Sequence, residues 1–224
     1  MRGHITALER TPSLGEEIAS SVTHGVGLIA SIVATPFLIM AAARDGDAWR
    51  VGSAIVFGVS LILLYCASTL YHALPRSKAK RVFRVIDHSA IYVLIAGTYT
   101  PFLLGPLRGA WGWSLFFSLW ALAVVGIVMK ATLGFRWARA STIVYLLMGW
   151  CGVVAIKPLL ERVSTAGVLW LFAGGIAYTA GVIFFVLDQR IRYAHSVWHL
   201  FVATGSVCHV VAVLRYSGGG GVSV

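Results

Sequence analysis

Seven runs of about 20 apolar residues, each closed by a short polar or Pro/Gly break, leave this chain few ways to fold. They extend approximately over residues 20–43, 49–74, 82–104, 111–129, 137–156, 166–187 and 194–214. A hydrocarbon layer about 30 Å thick is crossed by about 20 residues of helix. In lipid every backbone polar group must find its partner within the protein, and a helix does this segment by segment. The sequence therefore predicts an all-α, seven-transmembrane-helix bundle. The connections are short, so successive helices should run antiparallel.

The overall composition agrees. Hydrophobic residues make up 58% of the 224 residues and charged ones 12%, about half the charged share of a soluble domain. The net charge of +10 raises nucleic acid as a partner, but the basic residues lie in short runs between apolar segments and follow no single face, so none is expected. They read instead as topology signals. Twelve of the eighteen Lys and Arg residues fall on the side bearing the amino terminus and the second, fourth and sixth loops, and six on the other. By the positive-inside rule the N-terminus is cytoplasmic and the C-terminus outside, which places the chain in the cell membrane as a multi-pass protein. Trp49, Trp111, Trp113, Trp137 and Trp170 lie near run ends, where an indole buries its ring and wets its N–H. Cys66, Cys151 and Cys208 sit singly in apolar stretches and predict neither disulfides nor a thiolate metal site. The first run is too long and starts too late for a cleaved leader, so it is expected to stay as an anchor. The expected organisation is a polar cytoplasmic segment over 1–19, the membrane domain over 20–214, and a flexible Gly-rich tail over 215–224.

Ionisable groups inside spanning helices cost about 2.5–3.5 kcal/mol each on insertion scales, so each needs a partner or a purpose. His195 and His199, at i and i+4, share one face at the start of the seventh helix. Ser68 and His72 share a face at the end of the second, just before Pro75, and Asp87 opens the third. The seven-helix topology brings all these positions to the cytoplasmic side at similar shallow depth, with His195 and His199 about 5–10 Å inside Arg192. Three imidazoles and one water complete a tetrahedral zinc site with an open position, the arrangement of catalytic zinc. Copper, nickel or iron also accept imidazole. Asp87 would then hold or deprotonate the water, or orient a histidine. Ser68 would hydrogen-bond Asp87 or steady an oxyanion.

Each of these groups also has an ordinary reading. A lone His72 is an interfacial side chain, and three coincident histidines argue against that. Asp87 can pair with Arg84 or favour the N-terminus of its helix, and Ser68 can bond its own helix backbone. His24 reads as structural or supporting rather than as a fourth ligand, which would close the site. His88 points about 100° away from Asp87, and His4 and His209 have no evident partners. The basic cluster Arg76, Lys78, Lys80 and Arg81 is most simply the orientation signal.

These residues resemble the hemolysin III group of the progestin and adipoQ receptor family, which is related to the alkaline ceramidases. The resemblance spans essentially the whole chain. An acid followed by Asn and Thr-His looks like Glu17 to His24, with Ser20 in place of the Asn. Ser-xxx-His is Ser68 to His72 with Asp87 downstream, and HxxxH is His195 to His199. The resemblance implies a seven-helix bundle with a cytoplasmic N-terminus, zinc on His72, His195 and His199, and Asp87 holding a zinc-bound water. It also implies a membrane lipid as substrate or ligand. Three functions stand at this point: a zinc-dependent hydrolase of a lipid amide or ester, a zinc-braced membrane sensor without turnover, and a cytolytic pore. The outer halves of the helices carry few ionisable groups, which counts against the pore.

Overall fold

The computed structural model describes residues 10–44 and 46–218, so His4 and most of the Gly-rich tail lie outside the described residues. The described chain is all-helical. In order the helices are α1 (Leu14–Ala43), α2 (Ala48–Ala73), α3 (Lys78–Leu104), α4 (Ala110–Leu133), α5 (Ala138–Trp150), α6 (Ile156–Arg162), α7 (Thr165–Leu187) and α8 (Ala194–Tyr216). A 3-10 turn over Cys151–Ala155 joins α5 to α6. The chain belongs in a membrane, which it crosses repeatedly. Six stretches are long and apolar enough to span it: α1, α2, α4, Ala138–Arg162, α7 and α8.

The seventh expected run is α3, a helix of 27 residues that buries Asp87, Tyr92, Gly97, Thr98 and Thr100. It lies between α2 and α4, and its neighbours are protein on most sides. A helix so enclosed does not have to dissolve in lipid, and its polarity follows from that position.

α1 shows the same rule from the other side. Its buried residues are Glu16, Ser20, His24, Ser31 and Leu38, while Val22, Val26, Ile29, Val33 and Phe37 are exposed. The polar stripe runs at roughly helical spacing and faces α2 and α8, on which the helix packs. Hydrocarbon takes the apolar face, so the usual arrangement of a soluble helix is inverted.

Two boundaries differ most from expectation. α1 begins at Leu14 rather than near Ser20, because Ser13 and Glu16 form a reciprocal capping box at its start. Polar residues extend the helix beyond its apolar run. The fifth run is interrupted, with α5 ending at Trp150 and α6 starting at Ile156. Gly149 precedes the break and Gly152 lies within it, and Tyr99 of α3 supplies what the backbone loses there: its hydroxyl donates to the Gly149 carbonyl and accepts from the Gly152 N–H at 3.1 Å. At the end of the bundle opposite the histidines, Arg108 donates to Asp47, the N-cap of α2, at 3.0 Å. This hydrogen bond holds the Asp47 carboxyl below its ordinary value.

Replacing Tyr99 with Phe keeps the ring and removes both hydrogen bonds at the break. The expected loss is about 1–3 kcal/mol of stability, read as a lowered thermal midpoint of the purified protein in detergent. An unchanged midpoint would show that the break needs no such support.

Candidate metal centre

The polar end of the bundle is assembled from four helices. α2 delivers Ser68 and His72 in its last two turns, and Lys80 secures that end by donating to the Tyr71 and Leu74 carbonyls, each at 3.0 Å. α8 starts immediately after Tyr193, whose backbone is left-handed (φ 60°). The Tyr193 N–H is accepted by Glu16 of α1 at 3.0 Å. Glu16 is also paired with Arg10, whose guanidinium reaches the Asp188 carbonyl at 3.1 Å. The turn before α8 is thereby fastened to the start of α1.

His72, His195 and His199 come together here, with one ligand nitrogen from each lying within 4.8 Å of the others. Their ring centroids are 5.1, 5.1 and 4.7 Å apart. In every ring Nδ1 is engaged. His72 Nδ1 donates to Glu17 Oε2 at 2.8 Å, His195 Nδ1 to Asp188 Oδ2 at 3.0 Å, and His199 Nδ1 to the Ser20 carbonyl at 3.1 Å. Nε2 is the nitrogen left over on each. That of His72 is buried without a hydrogen-bond partner. A carboxylate or carbonyl on the far nitrogen fixes the tautomer and ring orientation of a metal-ligating histidine and raises its basicity. Side-chain adjustments of about an ångström bring the three nitrogens to the spacing of about 3.3 Å that tetrahedral zinc requires. The donor set fits a zinc ion.

Asp87 stands outside this triangle of nitrogens. It is buried, adjoins Ser68 and His195, and shares the wall of one cavity with His24, His195 and His199. Ser68 is fully buried, and its hydroxyl approaches the Asp87 carboxylate instead of bonding its own helix as membrane serines commonly do. His24 stacks on His199 with centroids 3.4 Å apart, and both its nitrogens are unpartnered. His88 donates from Nδ1 to the Arg84 carbonyl at 2.9 Å, and it too lines the cavity. His209 lies deeper, with Nε2 donating to the Leu171 carbonyl at 3.2 Å.

The cavity has a volume of about 200 Å³. It extends from the histidines between α3, α5, α7 and α8 to Leu107 and Leu159 near the other end of the bundle, with walls that are mainly apolar. Sequence reasoning assigns no support role to Asp188 and gives Glu17 only its place in the motif. Glu17 was visible as an acid seven residues before His24. Asp188 carries no signal, because the turned segment before α8 sets its approach to His195 and no helical period does.

With this geometry in view, known proteins become informative. Residues 13–210 match the family described as haemolysin-III related. This chain is a member of that family. It is 50% identical to the hemolysin-3 homolog of Bacillus subtilis over 204 residues, covering 91% of this chain and 95% of the relative. It is 29% identical to the human monocyte to macrophage differentiation factor, with 92% and 86% covered. A heptahelical transmembrane protein, ADIPOR2, of Oryza sativa subsp. japonica is 28% identical over 191 residues, covering 71% and 79%. The hemolysin III protein is thus similar to members of the wider progestin and adipoQ receptor family.

If Glu17 orients His72, replacing it with Gln should lower zinc affinity by about 10- to 100-fold while the helices remain folded. Competition with a zinc chelator, alongside circular dichroism, measures both. Unaltered affinity would remove Glu17 from the centre.

Proposed function

We propose that this hemolysin III protein is a zinc-dependent hydrolase of a lipid amide or ester. It would act within a bundle of seven spanning helices with its amino terminus in the cytoplasm. The observation that carries this reading is the convergence of three oriented imidazoles beside a buried carboxylate at the mouth of an apolar cavity. The length of α3, the excess of basic residues on one side and the heptahelical relative support seven spans and this orientation.

Zinc bound there supplies Lewis acidity, polarising a carbonyl and lowering the pKa of water to about 7. His72, His195 and His199 hold the ion, each braced through Nδ1. Asp87 accepts the proton of the attacking water and returns it to the departing amine or alcohol. Ser68, beside Asp87, steadies the developing oxyanion. The cavity walls receive the acyl chain and keep bulk water from the reacting carbonyl.

A second reading keeps the metal and removes the chemistry. Ligands on α2 and α8, tied to α1 through Glu17 and Ser20, also describe a brace for a membrane sensor. The cytolytic reading rests on the names of the Bacillus relatives.

Metal analysis of the purified protein should find zinc near one equivalent, lost in His72→Ala. Asp87→Asn should retain zinc and lose about 10²–10⁴-fold in turnover on ceramide-like or acyl-lipid substrates. Bound zinc without turnover on any of these lipids selects the sensor, and conductance in planar bilayers selects the pore. Reporter fusions should place the amino terminus inside and the carboxyl terminus outside. The reverse result, or both ends on one side, would overturn the proposed topology.

A further inference from the structure

We propose that His209 forms a subsite for a hydroxyl group borne far along the acyl chain of a lipid held in the cavity. His209 lies on α8 and is 7% exposed, and its ring forms part of the cavity wall. Its Nε2 faces the Leu171 carbonyl of α7, which can only accept, so the proton of the uncharged imidazole sits on Nε2 and Nδ1 is left as a bare acceptor. Among the described residues no group bonds Nδ1. Holding α7 to α8 accounts for Nε2 and gives Nδ1 nothing. The packing is shaped around the ring: a Cβ on Gly174 would meet Nε2 at 2.5 Å, so α7 carries no side chain there. An enclosed polar atom without a partner is uncommon and points to a group supplied from outside the chain.

An acceptor selects a donor, and in an apolar cavity the donor that a lipid chain carries without a charge is a hydroxyl. Other polar side chains of the deeper wall are committed: Thr98 donates to the Leu94 carbonyl at 2.7 Å, Thr179 to the Gly175 carbonyl at 2.8 Å, and the Tyr178 hydroxyl bonds Ser206 at 2.9 Å. His199, at the candidate metal centre, lines the same cavity. It precedes His209 by ten residues on α8, about 15 Å along the helix axis. An extended hydrocarbon chain advances about 1.3 Å per carbon. A lipid whose carbonyl stands at the histidines would therefore bring roughly its tenth to thirteenth carbon to His209. A plain chain passes the nitrogen and leaves it unpaired, whereas a mid-chain hydroxyl satisfies it and is itself spared burial without a partner. The inference deepens the hydrolase reading by naming hydroxyacyl lipids as its substrate class, and it takes from that reading only the position of the carbonyl.

The test uses full-length protein prepared with zinc and follows displacement of tritiated stearate by unlabelled stearate, 12-hydroxystearate and 2-hydroxystearate. For the wild type, 12-hydroxystearate should compete at least as well as stearate. In His209→Phe, which keeps a ring and removes the acceptor, it should compete about tenfold less well than stearate, with stearate binding and zinc content unchanged. The hydroxyl of 2-hydroxystearate stays at the histidine end, so this acid should not distinguish the two proteins. Thr98→Val, which removes a committed hydroxyl of the same wall, should keep the wild-type order. His209→Leu serves if the Phe variant aggregates. The same order of acids in wild type and the His209 variants overturns the proposal, as happens when a water molecule already satisfies Nδ1. An equal change in Thr98→Val overturns it too, and so does the absence of saturable stearate binding. A His209-dependent preference in a protein that hydrolyses no lipid refutes only the enzyme, whereas hydrolysis blind to a mid-chain hydroxyl refutes only the subsite.

Discussion

The hydrogen bond from each histidine Nδ1 to a fixed oxygen organises the polar end of this protein. Without it, three imidazoles in a low-dielectric interior would be free to rotate and to compete for one another. With it, Glu17 ties α1 to α2, Ser20 ties α1 to α8, and Asp188 ties the end of α7 to α8. The same contacts that present Nε2 also decide which helices are neighbours. Lys80 extends the arrangement to α3 by bonding both Glu17 and the last carbonyls of α2. Site and scaffold are therefore mutually dependent.

Much of this was legible in the sequence because lipid imposes a simple rule. A helix with an outer face in hydrocarbon must be apolar there, so the spans announced themselves as long apolar runs, and their few polar residues marked the inward face. His72, His195 and His199 could be placed together from depth alone. What stayed hidden depended on groups that obey no period. Ser13 and Glu16 lengthen α1 through a local cap, and the break between α5 and α6 is stabilised by Tyr99, a residue some fifty positions away. Asp188 reaches His195 because the chain turns through a left-handed Tyr193.

The interior is graded along the bundle. Near the histidines lie Glu17, Asp87 and Ser68. At mid-depth Tyr65 and Tyr178 both bond Ser206, at 2.8 and 2.9 Å. Towards the far end the cavity walls become Phe102, Leu103, Leu107 and Leu159. Polarity thus falls with distance from the three histidines, the gradient that an amphiphile entering headgroup-last or headgroup-first would experience differently. The interior polar groups also modify the expectation drawn from the sequence, since His209 and the tyrosine pair lie beyond the histidine layer. They are hydroxyls and one imidazole bonded to a carbonyl, however, with no row of charges among them.

The distribution of the ligands along the chain has a consequence for biogenesis. His72 leaves the ribosome early, whereas His195 and His199 belong to α8, the last of the described helices to be made. A nascent chain lacking α8 owns one of the three imidazoles, too few to form the proposed metal centre. Metal capture at the proposed centre would therefore follow only after α8 has docked against α1 and α7, so that loading itself would report the docking of that helix.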